Sequence, residues 1–152
     1  MMEILNQYYI NKATCVIIPV EKNVSKVYEG DSIYLVNKST TSIIDDSCVY
    51  FGSSYKGRIS GSKKILNMNY KLPIIIEEYN NLIFFPTSSP RFDDCSWISL
   101  MNIKSYSKDN STTNVIFDCG LEFNLDISYY SFENQVFRAT MLESLIRKRK
   151  NL

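Results

Sequence analysis

A chain of 152 residues is long enough for one domain that buries roughly two thirds of its unfolded surface, and its 45% hydrophobic and 13% aromatic content excludes a disordered segment. With 17 Lys and Arg against 16 Asp and Glu the formal net charge is +1, so the total alone points to no polyanion. The absence of histidine removes the commonest general base near neutral pH and excludes Ser-His-Asp and Cys-His hydrolases in their usual forms.

The start, Met1-Met2-Glu3-Ile4, has no basic region before an apolar stretch and does not read as a secretory signal. No apolar run approaches the length of about 18 residues that a membrane span needs, so a cytoplasmic protein is expected. Tyr8-Tyr9-Ile10 and Ala13 to Pro19 are β-prone runs that suggest a hairpin. Glu21 to Asp31 is polar apart from Val24, Val27 and Tyr28 and reads as a loop with at most weak strand pairing. Ser32 to Val36 and Thr41 to Ile44 read as short strands joined through Asn37 to Thr40.

The strands lead into Ser47 to Lys64, where Gly52, Gly57 and Gly61 cluster. No acid occurs between Asp46 and Glu77, whereas Lys56, Arg58, Lys63, Lys64 and Lys71 fall in that gap. Glycines let a backbone approach a ligand and acid-free cations attract polyanions, so the stretch reads as a phosphate-facing loop leaving a strand at Cys48. Gly52 to Ile59 also comes close to the nucleotide-binding pattern G-x-x-x-x-G-K-[ST], but Arg58 and Ile59 stand where the lysine and the magnesium-holding hydroxyl belong. A glycine-rich turn on a solvated face is the third reading. Tyr55, Ile59, Leu66 and Met68 fit one face of a short helix over residues 53 to 66, in which Gly57 and Gly61 would each cost about 1 kcal/mol relative to alanine.

Leu72 to Ile76 and Leu82 to Pro86 form a further strand pair turned by Tyr79-Asn80-Asn81. A turn-rich loop from Thr87 to Cys95 holds Arg91 and precedes a strand from Ser96 to Ile103, with Trp97, Ser99, Met101 and Ile103 on one face. Trp97 reads as core packing before ligand contact. Thr113 to Phe117 and Leu121 to Ile127 form a hairpin around Asp118-Cys119-Gly120. Cys15, Cys48, Cys95 and Cys119 lie far apart with no C-x-x-C pair, so they read as reduced thiols and no metal or other cofactor is expected. The adjacent acids Asp45-Asp46, Glu77-Glu78 and Asp93-Asp94 read as turn chemistry, not a catalytic dyad.

The clearest helix comes last. Phe132, Val136, Ala139, Leu142 and Ile146 recur at three- and four-residue steps, with Ser131 as the expected cap and Arg147-Lys148-Arg149-Lys150 at the negative end of the dipole. Residues 138–152 and 47–76 are both strongly basic, and the remainder carries an excess of acids. A near-neutral total thus conceals two basic segments that could hold a phosphate backbone from one face, although a solvated helix end explains the tail equally well.

Phe51-Gly52-Ser53-Ser54-Tyr55-x-Gly57-Arg58-x-x-Gly61 resembles the signature of the ComK family of competence transcription factors. Pro73-Ile74, Phe85-Pro86-Thr87 and Cys95-x-Trp97-Ile98-Ser99 follow in register, as does Ile127-Ser128-Tyr129-x-Ser131-Phe132-Glu133-Asn134-Gln135-Val136-x-Arg138. The resemblance is strongest over residues 48–138. It implies a nucleoid-associated activator of DNA-uptake genes that recognises paired A/T-rich boxes in double-stranded DNA, largely through the minor groove. It further implies DNA bending, a homo-oligomer on the DNA (a dimer or a dimer of dimers) and a contact with RNA polymerase. Longer members carry a C-terminal extension that serves regulated degradation. This chain ends at Leu152, soon after Arg149-Lys150, a departure from the longer members that leaves that handover open while DNA binding is still expected.

Under this reading Arg58 is the residue expected to enter the groove, Lys56, Lys63 and Lys64 hold phosphates, and Ser53 and Ser54 donate to the backbone. Gly57 and Gly61 permit close approach, and Tyr55 packs on sugar or on the protein's own core. Arg91, Asn134, Gln135 and Arg138 complete the expected DNA-facing set. The expected fold is a single α+β domain, rich in antiparallel hairpins forming a sheet or open barrel, with a short glycine-containing helix or loop after residue 52 and a C-terminal amphipathic helix. No enzyme is expected. The alternatives are a protein-interaction module without DNA binding and a degenerate nucleotide-binding protein.

Overall fold

A computed structural model describes residues 2–90 and 95–151. Its strands β1 (Glu3–Leu5), β2 (Thr14–Glu21), β3 (Val24–Glu29), β4 (Ser32–Val36), β5 (Ile74–Glu77), β6 (Leu82–Pro86) and β7 (Trp97–Ser99) form one sheet in the order β1-β4-β3-β2-β7-β6-β5. Every pairing is antiparallel except β1 with β4. A second, three-stranded sheet holds β8 (Ile103–Asp109), β9 (Thr112–Phe117) and β10 (Glu122–Leu125). The helices are α1 (Thr40–Tyr50), α2 (Tyr55–Leu66) and α3 (Tyr129–Lys150).

The larger sheet is covered on both faces, and strand alternation shows how. Val16, Ile75, Ile83, Phe85 and Ile98 point into one cluster with Phe117, Phe132, Ala139 and Leu142, beneath α3 and the small sheet. Their neighbours Ile17, Ile74, Ile76, Phe84 and Trp97 point into the other, with Ile43, Ile44 and Cys48 of α1. Trp97 is fully buried there, as its size suggests. Ile59 of α2 touches both clusters, which seats that helix beside the β5 edge of the sheet.

The α+β class, the β5–β6 and β9–β10 hairpins and the terminal helix agree with the sequence-based expectation. Several local expectations do not hold. Thr41 to Ile44 is no strand: Ser39 accepts the Ser42 amide at 3.1 Å and caps α1, whose Ile43, Ile44, Ser47 and Cys48 are buried at helical spacing. Tyr8 to Ile10 forms no hairpin, because the Ile10 amide donates to Ser47 Oγ of α1 at 3.0 Å. Glu21 to Asp31 contains β3 in mid-sheet, bounded by tight turns in which Asn23 and Gly30 take φ of 59° and 56°.

Ser96 to Ile103 is two strands, not one. Asn102 breaks the run by donating to the carbonyls of Lys12 and Thr14 at 2.9 and 2.8 Å, and the chain crosses there from the large sheet to the small one. The α3 cap is Ser128, whose hydroxyl accepts the Ser131 amide at 3.2 Å, so Ser131 lies inside the helix. No helix among the described residues is long and apolar enough to cross a membrane.

Candidate nucleic-acid interface

The acid-free segment folds as helix, turn, helix. Phe51 closes α1, Gly52 takes a φ of 88° that suits glycine, and Ser54 caps α2 by accepting the Gly57 amide at 3.0 Å. The Tyr55 amide donates to Asp45 Oδ1 of α1 at 3.0 Å and the Ser53 amide to the Cys48 carbonyl at 2.9 Å. The amides at this turn therefore serve the fold and do not form a phosphate cradle. The strand that a nucleotide-binding loop requires is also missing, since the run before Gly52 is α1. Among the described residues no cluster of acids and cysteines could hold a metal.

What α2 offers instead is a face. Lys56, Ser60, Lys63 and Asn67 follow one another at three- and four-residue steps with Lys64 beside them, all five are exposed, and no acid lies among them. Gly57 and Gly61 flank this face. A methyl at Gly61 would meet nothing within 4 Å, so the protein itself does not need a glycine there. Gly61→Ala should therefore raise unfolding stability by about 0.5–1 kcal/mol, measured by denaturant titration.

The opposite side of α2 is inward and holds Tyr55 and Arg58. The Tyr55 ring lies edge-on to Trp97 with centroids 6.1 Å apart, and burial pushes its hydroxyl pKa up to about 12. Tyr55 therefore packs on the protein's own core. Arg58 is three-quarters buried and pairs through an Nη with Glu78 Oε1 at 3.3 Å, while its Nε is buried with no hydrogen-bond partner.

Glu78 also receives Lys150 Nζ from the end of α3. One carboxylate thus joins the two basic segments identified in the sequence. These cations, Lys150 foremost, hold the Glu78 carboxyl below the ordinary carboxylate range despite some desolvation. A carboxyl depressed on folding contributes stability that is present at neutral pH and is lost as pH falls through its folded value. Glu78→Gln should therefore reduce stability at neutral pH, and the gap from the parent protein should close below the ordinary glutamate range in a pH series of melting curves.

Of the α3 residues expected to face DNA, Gln135 is 3% exposed and donates to the carbonyls of Lys71 and Pro86 at 3.0 and 2.7 Å. Arg138 donates to Gln135 Oε1 at 3.3 Å and to the Tyr70 carbonyl at 3.4 Å, with its guanidinium 5.9 Å from the Tyr70 ring centre. Asn134 is half-buried on α3. Arg91 lies outside the described residues. The structure thus gathers Lys56, Lys63 and Lys64 on one surface, while Tyr55, Arg58, Gln135 and Arg138 make internal contacts. Ser60 and Asn67 were not singled out from the sequence, although a helical count from Lys56 reaches both.

The ComK protein family model matches residues 5–151. The Competence transcription factor of Bacillus subtilis (strain 168) is 38% identical over 149 residues, covering 95% of this chain and 78% of the relative. No solved structure matches the chain. A match along nearly the whole length, on a fold whose signature residues build the α1–α2 turn and the α3 start, makes this chain a member of the ComK family.

Proposed function

We propose that this protein is a competence transcription factor that binds A/T-rich double-stranded DNA with the exposed face of α2. The observation that carries the reading is the row Lys56, Ser60, Lys63, Lys64 and Asn67, a basic and polar helical face with no acid in it. Lysine ammonium groups neutralise phosphates and release counterions, while Ser60 and Asn67 can donate to phosphate oxygens between them. Family membership and the relative's description as a transcription factor support the same reading.

Groove dimensions decide how such a face sits. The minor groove is about 6 Å wide and cannot admit a helix about 10 Å across. In the proposed complex α2 rides over the two backbones flanking the groove and its lysines reach inward, where A-tracts narrow the groove and deepen its negative potential. Arg58 reaches the groove only if its pair with Glu78 opens, so phosphate holding rests on the three exposed lysines. Gly57 and Gly61 let the backbone of α2 approach the DNA, and Gly61→Ala should then weaken DNA binding while it stabilises the fold. Binding at paired boxes, activation of DNA-uptake genes, contact with RNA polymerase and work at the nucleoid follow the family expectation.

A gel shift at two salt concentrations tests the reading with three duplexes: an A/T box, a G·C duplex, and one in which inosine replaces guanine. Inosine·cytosine lacks the guanine amino group and presents an A·T-like minor groove. The A/T and inosine duplexes should bind alike and more tightly than G·C, with binding falling steeply in salt. Equal binding to all three would remove the minor-groove reading, and no binding to any would remove DNA altogether.

A further inference from the structure

Two cysteines that lie 104 positions apart in the sequence meet in the fold. Cys15 of β2 is 2% exposed, Cys119 is exposed on the β9–β10 turn, and their sulfurs stand 3.9 Å apart with both thiols free. A bulge brings Cys15 to this place. Thr14 pairs with Glu29 of β3 and Val16 with Tyr28, which leaves Cys15 unmatched in the ladder. The extra residue re-aims the strand, so Cys15 joins Val16 in the cluster beneath α3 and the small sheet instead of alternating to the other face.

Asn102 ties the neighbours of both cysteines to one residue. Its side-chain nitrogen donates to the Thr14 carbonyl, next to Cys15, and its carbonyl accepts the Asp118 amide, next to Cys119, at 2.8 and 2.9 Å. Gly120, with a φ of 95°, closes the turn that presents Cys119. A surface hollow bordered by Tyr28, Gly30, Asp31 and Leu121 leaves Cys119 open to small solutes. Cys48 and Cys95 are fully buried with the cluster on the opposite face of the large sheet, so neither competes for this pairing.

We propose that Cys15 and Cys119 form an oxidant-sensing dithiol, which hydrogen peroxide closes into a disulfide that staples β2 to the β9–β10 turn. The Cys119 thiolate attacks a peroxide oxygen, the O–O bond breaks, and the departing hydroxide takes a proton and leaves as water. Cys119 is then a sulfenic acid. The Cys15 sulfur attacks that of Cys119, the S–O bond breaks, and the Cys15 proton leaves with the hydroxyl group as a second water. Two thiols and one peroxide thus give one disulfide and two waters. Burial, with Cys119 beside it, pushes the Cys15 thiol up to about 12, so Cys15 stays protonated and serves as the resolving partner. A disulfide needs about 2.05 Å between its sulfurs, and rotation of the exposed Cys119 side chain supplies the remaining approach. In a reducing compartment such a pair stays open until an oxidant arrives. None of the α2 lysines takes part, and the inference does not depend on DNA binding.

Peptide mapping of the full chain, freed of reductant, treated with hydrogen peroxide and then alkylated in denaturant, tests the pairing. A linked Cys15–Cys119 peptide should appear, and the denatured protein should titrate two fewer thiols. The melting temperature should rise by on the order of 10 °C, since the bond closes a loop of about 100 residues. A thiol reductant should reverse all three changes. Cys119→Ser, altered only at an exposed turn, should fold, form no link and keep its melting temperature in peroxide. Cys15→Ala should stop at the sulfenic acid, trapped on Cys119 by dimedone. A thiol count unchanged by peroxide, or a link that runs to Cys48 or Cys95, would overturn the assignment.

Discussion

Replacing Lys63 and Lys64 together with alanine should lower affinity for every duplex, A/T-rich or not, by on the order of tenfold per lysine, the worth of a charge-assisted contact. The dependence of log affinity on log salt should flatten by about two units, one for each phosphate no longer neutralised. Both side chains are exposed on α2 and make no ion pair among the described residues, so the fold should keep its stability. Arg58→Ala should behave differently. It removes the α2 partner of Glu78, and its first consequence should be a less stable protein, visible in denaturant titration. Titrations at several salt concentrations, paired with unfolding curves, separate the two behaviours.

Gln135→Ala should cost about 3 kcal/mol of folding stability in denaturant titration and leave the DNA affinity of the folded protein unchanged. The side-chain amide supplies hydrogen bonds to two carbonyls, those of Lys71 and Pro86, in a site that is 3% exposed. Truncation leaves these acceptors without that donor, at roughly 1–3 kcal/mol for each buried group so stranded. Gln135→Glu should be worse, because a carboxylate would face those same carbonyl oxygens. If Gln135 instead touched DNA, alanine would lower affinity and spare stability, which is the opposite pattern.

Gln135 also shows why part of the site was hidden in the sequence. A polar residue at the start of an amphipathic helix, inside a family motif, reads equally as a DNA contact and as a structural bridge. Only the folded chain brings Lys71 and Pro86 to it. Arg58 is similar: its cationic neighbours suggest a shared role, yet a helical count places it across from Lys56 and Lys63, and Glu78 is 20 residues away in sequence. The exposed lysines were legible because surface position follows from helical period alone.

The fold divides in the same way. Leu82 to Pro86 and the α3 stripe were readable because strand and helix periods dominate there. α1 was missed because Thr40, Thr41, Ile43 and Ile44 are β-branched and favour a strand reading, while its helical spacing rests on the small residues Ser47 and Cys48. β3 was read as a loop because polar Ser25, Lys26 and Glu29 interrupt its apolar residues, although Asn23 and Gly30 carried the turn signals.

Acetylation of lysines, followed by mass spectrometry with and without an A/T-box duplex, maps the contact surface directly. Lys56, Lys63 and Lys64 should lose reactivity on binding, while Lys22 at the β2–β3 turn and the exposed Lys104 and Lys108 of β8 should react as before. Protection of the β8 lysines with α2 left fully reactive would contradict the placement of DNA on the α2 face.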